Sequence, residues 1–270
     1  MAGNDFLGKV VIITGASSGI GKACAEIFAS RGAKVVMAAR NIPKLQAAAA
    51  KIAGEPLIIE ADVSKEADCK KIIEEAIGKF GKIDILINNA GISMRALFVD
   101  VDLEVIRRVM DINFWGTVYC TKYALPHIMK SKGSIIGISS IAGFRGLPGR
   151  TGYSSSKFAM QGFLEALRTE LLKKDVHVMI ACPGFTASNI RNTALNSEGK
   201  QQGESPRDEA TMMSAQKVAE HIADATAKRK RTLILTRQGK LTVFFNKWLP
   251  KWMDKKVYQH FAKEADSPLK

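Results

Sequence analysis

A doubly wound α/β fold, with seven parallel strands and helices on both faces, is what this 270-residue sequence predicts. Three observations predict it. Short apolar, β-branched runs recur along the chain, helix-period segments separate them, and the first run feeds a glycine-rich turn that opens directly into a helix. An apolar content of 46% is enough for a sizeable core, and one large domain is favoured over two small ones.

The first strand is read at residues 9–14, followed by the turn and by Ala23, Ile27 and Phe28 at helical spacing until Gly32. Residues 34–39, 57–61 and 83–88 make the next three strands, with a helix such as Ile72, Ile73, Ala76, Ile77 and Phe80 between successive runs. A long helix follows over residues 102–130, then a strand at 135–138, a helix at 153–172 and a strand at 176–182. A helix at 217–227 and a strand at 232–236 complete the pattern. Residues 186–211 do not fit it. Rich in Asn, Ser, Gly, Gln and Glu and containing Pro206, they read as a polar lid or a disordered insertion. Residues 1–236, lid included, are therefore assigned to the catalytic domain and 237–270 to a basic aromatic C-terminal extension.

The turn Gly15-Ala16-Ser17-Ser18-Gly19-Ile20-Gly21 sits where a dinucleotide pyrophosphate meets backbone N–H groups and the positive end of a helix. At the end of the second strand, where an acid usually takes the ribose 2′-hydroxyl, the chain has Arg40 and no acid. A guanidinium suits a 2′-phosphate, so NADP(H) is expected in preference to NAD(H), a solvated loop cation being the other reading. Asp62 and Val63 follow the third strand, and Asn88-Asn89-Ala90-Gly91 ends the fourth, on the rim where open α/β sheets bind ligands. Asp62 has two readings: an acceptor for the adenine amino group, or a turn and helix cap.

Tyr153 and Lys157 stand four apart on one helical face, with Ser140 upstream. An isolated phenol has a pKa of about 10, too high for a proton shuttle near neutrality, and a neighbouring cation lowers it. A serine hydroxyl beside the phenol holds and polarises a carbonyl or alcohol while the proton moves.

Taken together, Thr14 to Gly21, Asn88 to Gly91, Asn113, Ser140, Tyr153 with Lys157, and Pro183-Gly184 resemble the short-chain dehydrogenases/reductases in order and spacing. That resemblance runs from about Gly8 to Thr236 and implies a Rossmann-like domain. It implies Tyr153 as general acid/base, Ser140 as carbonyl anchor, Lys157 as ribose ligand and tuner of the phenol, and Asn113 as holder of a water relay. Residues 183–188 would cover the nicotinamide, with Thr186 or Ser188 near its carboxamide. It also implies a homodimer or homotetramer built through the helices beginning at Asp102 and Tyr153.

For the substrate, Met94, Leu97, Phe98, Phe144 and Leu147 on the rim loops offer an apolar lining, with Arg95, Arg145 and Arg150 beside them for an anionic group. A fairly hydrophobic carbonyl or alcohol is expected. Net charge is +14, and residues 228–256 hold ten basic residues against the single acid Asp254. No nucleic-acid recognition motif accompanies that charge, so nucleic acid is not expected as a partner. Within 240–258, Trp, Phe and Lys interleave; this reads as a helix lying on an anionic membrane, or as aromatics covering the substrate loop or a neighbouring subunit. Lid and tail resemble the branch that includes 11β-hydroxysteroid dehydrogenase and 3-ketosphinganine reductase, without the N-terminal anchor of many members.

Cys24, Cys69, Cys120 and Cys182 have no paired spacing, which argues against zinc and disulfides and for a reducing compartment. With no apolar leader or span, a cytoplasmic protein is expected, with peripheral membrane contact through the tail as the further expectation. The alternative to a hydride-transferring enzyme is a non-catalytic dinucleotide-binding sensor or scaffold, disfavoured by the intact Ser140, Tyr153 and Lys157 set.

Overall fold

The computed structural model describes residues 4–203, 205, 211–264 and 267–269. Seven strands form one parallel sheet: β1 (Val10–Thr14), β2 (Lys34–Ala39), β3 (Leu57–Glu60), β4 (Ile85–Asn88), β5 (Ser134–Ile138), β6 (His177–Cys182) and, late in the chain, β9 (Thr232–Ile234). Their order is β3-β2-β1-β4-β5-β6-β9, reversing direction at β1. This is a single Rossmann-like α/β domain, and the crevice for a ligand lies where β1 and β4 diverge.

Every residue of β1 is buried, because both faces of the sheet are covered. Val11 and Ile13 face the helices α1 (Gly19–Ser30), α2 (Ile42–Ala49) and α7 (Ala215–Ala227), packing with Phe28, Leu45 and Ile222. Val10 and Ile12 face α3 (Glu66–Phe80), α5 (Gly116–Ser131) and α6 (Thr151–Glu170), among Ile72, Cys120 and Leu164. Each such aliphatic side chain contributes roughly 2 kcal/mol by leaving water.

Two elements differ from the sequence expectation in a way that matters. The long helix at 102–130 is α4 (Leu103–Met110), a π-helical turn at Asp111–Trp115, and α5. One extra residue per turn is accommodated there, with Asn113 at its centre. The last strand ends at Ile234 because Thr236 takes a left-handed φ of 67° and caps α8 (Arg237–Trp248), its Oγ1 accepting from Gly239 N at 3.0 Å. The insertion after β6 is anchored by a short parallel pair, β7 (Thr186–Ala187) with β8 (Met213–Ser214), and by buried Leu195 bridging to Met94. Pro206 and its neighbours at 204 and 206–210 lie outside the described residues.

After α8, α9 (Pro250–Ala262) packs Met253, Val257 and Phe261 against Leu147 and Phe185. Of the two readings of the tail, contact with the substrate loop is therefore present in the fold. No helix among the described residues is long and apolar enough to cross a membrane.

At the opposite end of the sheet, Asp84 is a buried carboxylate that accepts from Val10 N at 2.9 Å, Lys82 Nζ at 2.9 Å and Lys9 Nζ at 3.1 Å. Burial works to raise its pKa, but the Val10 N–H and the two ammonium groups outweigh it and hold the carboxyl below its ordinary value. Asp84→Asn is expected to lower stability by about 1–3 kcal/mol in urea unfolding at pH 7. A carboxylate with a depressed folded pKa stabilises above its unfolded pKa and loses that contribution as pH falls through the folded one. The gap between variant and parent should hold from pH 7 to pH 5 and close only at pH values below the ordinary carboxylate pKa.

Candidate active site

The site is assembled from strand ends. Thr14, the last residue of β1, accepts on Oγ1 from Asn89 N and Ala90 N, both at 3.0 Å. Asn89 returns the contact, its Nδ2 donating to Thr14 O at 2.8 Å and Gly15 O at 3.3 Å. The glycine turn is thereby clamped to the end of β4. Gly15, at φ 66°, admits this approach because a Cβ there would stand 2.8 Å from Ala90 Cα. A Cβ on Gly21 would overlap both the Asn89 side chain and the Gly15 carbonyl. The Ser18 side chain does not cap α1, and no acid occupies its first turn. Backbone N–H groups and the positive helix end therefore face the cleft, and the turn fits a pyrophosphate.

A cleft of about 460 Å³ runs along this rim. Of the residues expected from sequence, it is lined by Gly15, Ser17, Ser18, Gly19, Ile20, Arg40, Asp62, Val63, Asn89, Ala90 and Gly91 on the glycine-turn side. Ser140, Tyr153, Lys157, Pro183, Gly184, Thr186 and Ser188 line its far side. Gly21 and Asn113 stand behind the wall. Asn113 is fully buried in the π-turn, accepting from Ile92 N at 2.8 Å and donating to Ile92 O at 3.0 Å and Ser156 Oγ at 2.9 Å. It ties the end of β4 to α6 rather than bonding its own helix with its side chain. Ser188 crosses the glycine turn, its Cβ 3.5 Å from where a Cβ on Gly19 would be.

Tyr153 lies in the first turn of α6 and Lys157 one turn on. Ser139 and Ser140 separate by face: Ser139 is buried, taking a bond from Gln161 Nε2 at 2.9 Å, whereas Ser140 lines the cleft beside Tyr153 and its hydroxyl favours the ionised phenol. Burial pushes the phenol above its ordinary pKa, against the pull of Ser140, Arg150 and Arg191. Lys157 Nζ donates to Ile138 O at 2.9 Å and stands 5.8 Å from the Tyr153 ring centroid. In this arrangement Ser140 and two guanidiniums pull the phenol down, and burial exceeds them. Burial brings Lys157 itself from 10.5 to about 8.

The reading of the substrate end is corrected. Of the five apolar residues expected at the substrate end, only Leu147 lines the cleft. Met94 is fully buried with Val101, Val105 and Leu195, Phe144 packs into the core, and Phe98 is mostly exposed. Phe185, Ile190 and Leu195 take their place. Ile190 and Leu195 belong to the insertion, whose polar composition hid them, and Phe185 immediately precedes it. Asp62 lines the cleft: its Oδ1 accepts from Ser64 N and Oγ as a local turn, while Oδ2 lies 3.9 Å from Arg40 Nη1. Among the described residues no cluster of His, Cys, Asp and Glu is arranged to hold a metal ion.

Comparison with known proteins gives four findings. The sequence pattern of the family described as short chain dehydrogenase matches residues 9–199. A mouse protein, dehydrogenase/reductase SDR family member 7B, is 37% identical over 84% of this chain and 73% of its own length. An Arabidopsis thaliana protein, 11-beta-hydroxysteroid dehydrogenase-like 2, is 45% identical over 69% of this chain and 62% of its own. Among solved structures, a short chain dehydrogenase/reductase from Burkholderia phymatum superposes with a TM-score of 0.82 at 24% identity, covering 92% of this chain and 96% of that one. That protein was solved in complex with NAD. The expected preference for NADP(H) is thereby overturned, and Arg40 faces the Asp62 carboxylate at 3.9 Å with its side chain 53% exposed.

Lys157→Met tests the electrostatic account. A cation whose folded pKa is depressed costs stability while protonated in both states, here below about pH 8, and the cost fades as pH rises to the unfolded value. The displacement corresponds to about 3 kcal/mol, offset by about 1 kcal/mol for the lost Ile138 bond. Thermal unfolding should show the variant more stable by about 2 kcal/mol at pH 7, with the advantage shrinking above pH 8.

Proposed function

Because the chain belongs to the short chain dehydrogenase family, we propose that it is an oxidoreductase moving hydride between a nicotinamide dinucleotide and the carbonyl or alcohol carbon of a fairly hydrophobic substrate. The observation that carries the reading is the meeting of Ser140, Tyr153 and Lys157 on one cleft with the clamped glycine turn. The dinucleotide, when bound, supplies or takes the hydride.

In this reading the chain's own groups do the rest. Ser140 holds the substrate oxygen, and Tyr153 gives it a proton during reduction or removes one during oxidation. Lys157 takes the nicotinamide ribose hydroxyls and, brought beside the phenol by that contact, favours its ionised form. Asn113 holds Ile92 against Ser156, which keeps Gly91 beside Lys157 and sets the place of the relay water. Thr186 and Ser188 meet the carboxamide. Leu147, Phe185, Ile190 and Leu195 form the apolar end, which suits a steroid-like or other lipid ketone; the names of the plant relatives point the same way.

The C-terminal segment extends the reading. Leu241, Phe244 and Trp248 on α8 and Trp252 on α9 are 46%, 58%, 65% and 44% exposed. Lys247 lies over the Trp248 ring at 5.7 Å and Lys256 over Trp252 at 5.6 Å. Aromatics outward with lysines beside them suit the headgroup layer of an anionic membrane, from which a lipid substrate would be drawn.

Tyr153→Phe should reduce turnover of hydrophobic ketones, followed by reduced-nicotinamide absorbance, by at least ~100-fold while leaving dinucleotide binding within a few-fold. Unchanged turnover would remove Tyr153 as the acid. A parent that binds dinucleotide and turns over no member of a panel of steroids, ketolipids and aryl ketones would favour the sensor reading. In vesicle flotation the protein should rise with anionic but not zwitterionic liposomes, and Phe244→Ser with Trp248→Ser should abolish this; equal partitioning onto both liposome types would sink the membrane contact.

A further inference from the structure

Glu264 follows α9, far in sequence from the site, yet its side chain is only 4% exposed. Its Oε2 lies 3.3 Å from Arg150 Nη2 and 3.6 Å from Arg95 Nη2, and both guanidinium side chains are 12% exposed. Arg150 also lies over the Phe261 ring, with Cζ 4.7 Å from the centroid. A buried carboxylate shared by two guanidiniums is coupled to both through charge-assisted contacts.

The two arginines mark the loops that frame the substrate end. Arg95 N donates to Leu195 O at 2.8 Å, joining the loop after β4 to the insertion, and Ala96 N donates to Gly149 O at 2.9 Å, joining it to the loop before α6. Arg150 is the N-cap of α6, three residues before Tyr153, and its carbonyl accepts from Ser154 N at 2.8 Å. Pro268 stands beside the same loop, its Cγ 3.4 Å from where a Cβ on Gly149 would be. Two loops around the cleft thus converge on one carboxylate of the C-terminal segment, and the insertion is tied to one of them through its backbone.

We propose that Glu264 is a positioning residue: it latches the C-terminal segment onto the Arg95 and Arg150 loops and offsets the Arg150 charge at the start of the Tyr153 helix. The C-terminal segment then braces from behind the loops that frame the substrate site. The inference rests on Tyr153 being the proton-transferring group only for its kinetic consequence. Charged or titratable groups facing the phenol are Arg150, Arg191 and Cys182, with Lys157 one turn on. Arg150 pulls the phenol down. With Glu264 neutralised, that pull strengthens.

The test uses the full chain and compares Glu264→Gln, Glu264→Asp, Arg150→Gln and the double variant Glu264→Gln with Arg150→Gln. In Glu264→Gln, backbone hydrogen exchange should accelerate at residues 93–99 and 147–152, and KM for the best ketone should rise several-fold with kcat changed less. The alkaline limb of ketone reduction, where the protonated phenol is lost, should move to lower pH by roughly half a unit. Adding Arg150→Gln should cancel that movement, and Glu264→Asp should restore most of the exchange protection. Exchange unchanged in Glu264→Gln overturns the latch. Faster exchange with an unmoved limb overturns the charge coupling and leaves packing alone. Exchange needs no turnover, so a failure of the oxidoreductase reading is separated from a failure of the latch.

Discussion

Everything in the site depends on the bonds between Thr14 and the Asn89-Ala90 backbone. Two adjacent parallel strands end at the same level, and these bonds hold the turn leaving one against the loop leaving the other. From there the connections run outward without a gap: Ile92 to Asn113, Asn113 to Ser156, and Lys157 to Ile138 at the end of β5. The glycine turn and the Tyr153 helix come from distant parts of the sequence. They share one frame because backbone groups that would otherwise be buried unpaired at the strand ends are satisfied by the side chains of Thr14, Asn89, Asn113 and Lys157.

The sheet was legible because a strand covered on both faces must be apolar at every position, so its runs stand out from amphipathic helices. The glycine turn was legible because only glycine tolerates the approach of Ala90 and Asn89. What depends on three-dimensional convergence was not. The π-turn has the same apolar spacing as a helix, and its signal is the partner of Asn113, which lies 21 residues away. Arg40 read as a phosphate ligand while its nearest carboxylate, Asp62, was 22 positions distant in the chain and invisible as a neighbour. Arg95, Arg145 and Arg150 read as cations available to a substrate. Each proves to face a carboxylate of the C-terminal segment, Arg145 pairing with Asp254 and the others with Glu264.

Buried charge is distributed unevenly between the two ends of the sheet. Asp84, at the amino end, is surrounded by donors and has its charge favoured. Lys157, at the carboxyl end, is buried with a single carbonyl acceptor, Ile138 O, and has its charge disfavoured. The first arrangement stabilises a fold. The second holds an ammonium in a state that a ligand with hydroxyl groups would improve, so part of the domain's stability is given up where the cofactor is expected.

The π-turn at Asp111–Trp115 separates two helices that answer to different neighbours: α4 packs on α6, while α5 packs on α3 and brings Gly116 so close to Val63 that a Cβ would lie 2.7 Å from its Cγ2. One residue in an α-helix corresponds to ~100° of rotation. Deleting a residue here would regularise the helix and turn every downstream side chain by that angle relative to α4, so that either Asn113 would leave Ile92 or Gly116 would leave Val63. The segment therefore tolerates exchange of side chains far better than any change in length, and chains that share this architecture should keep the spacing between Asn113 and Gly116 even where the residues around it differ.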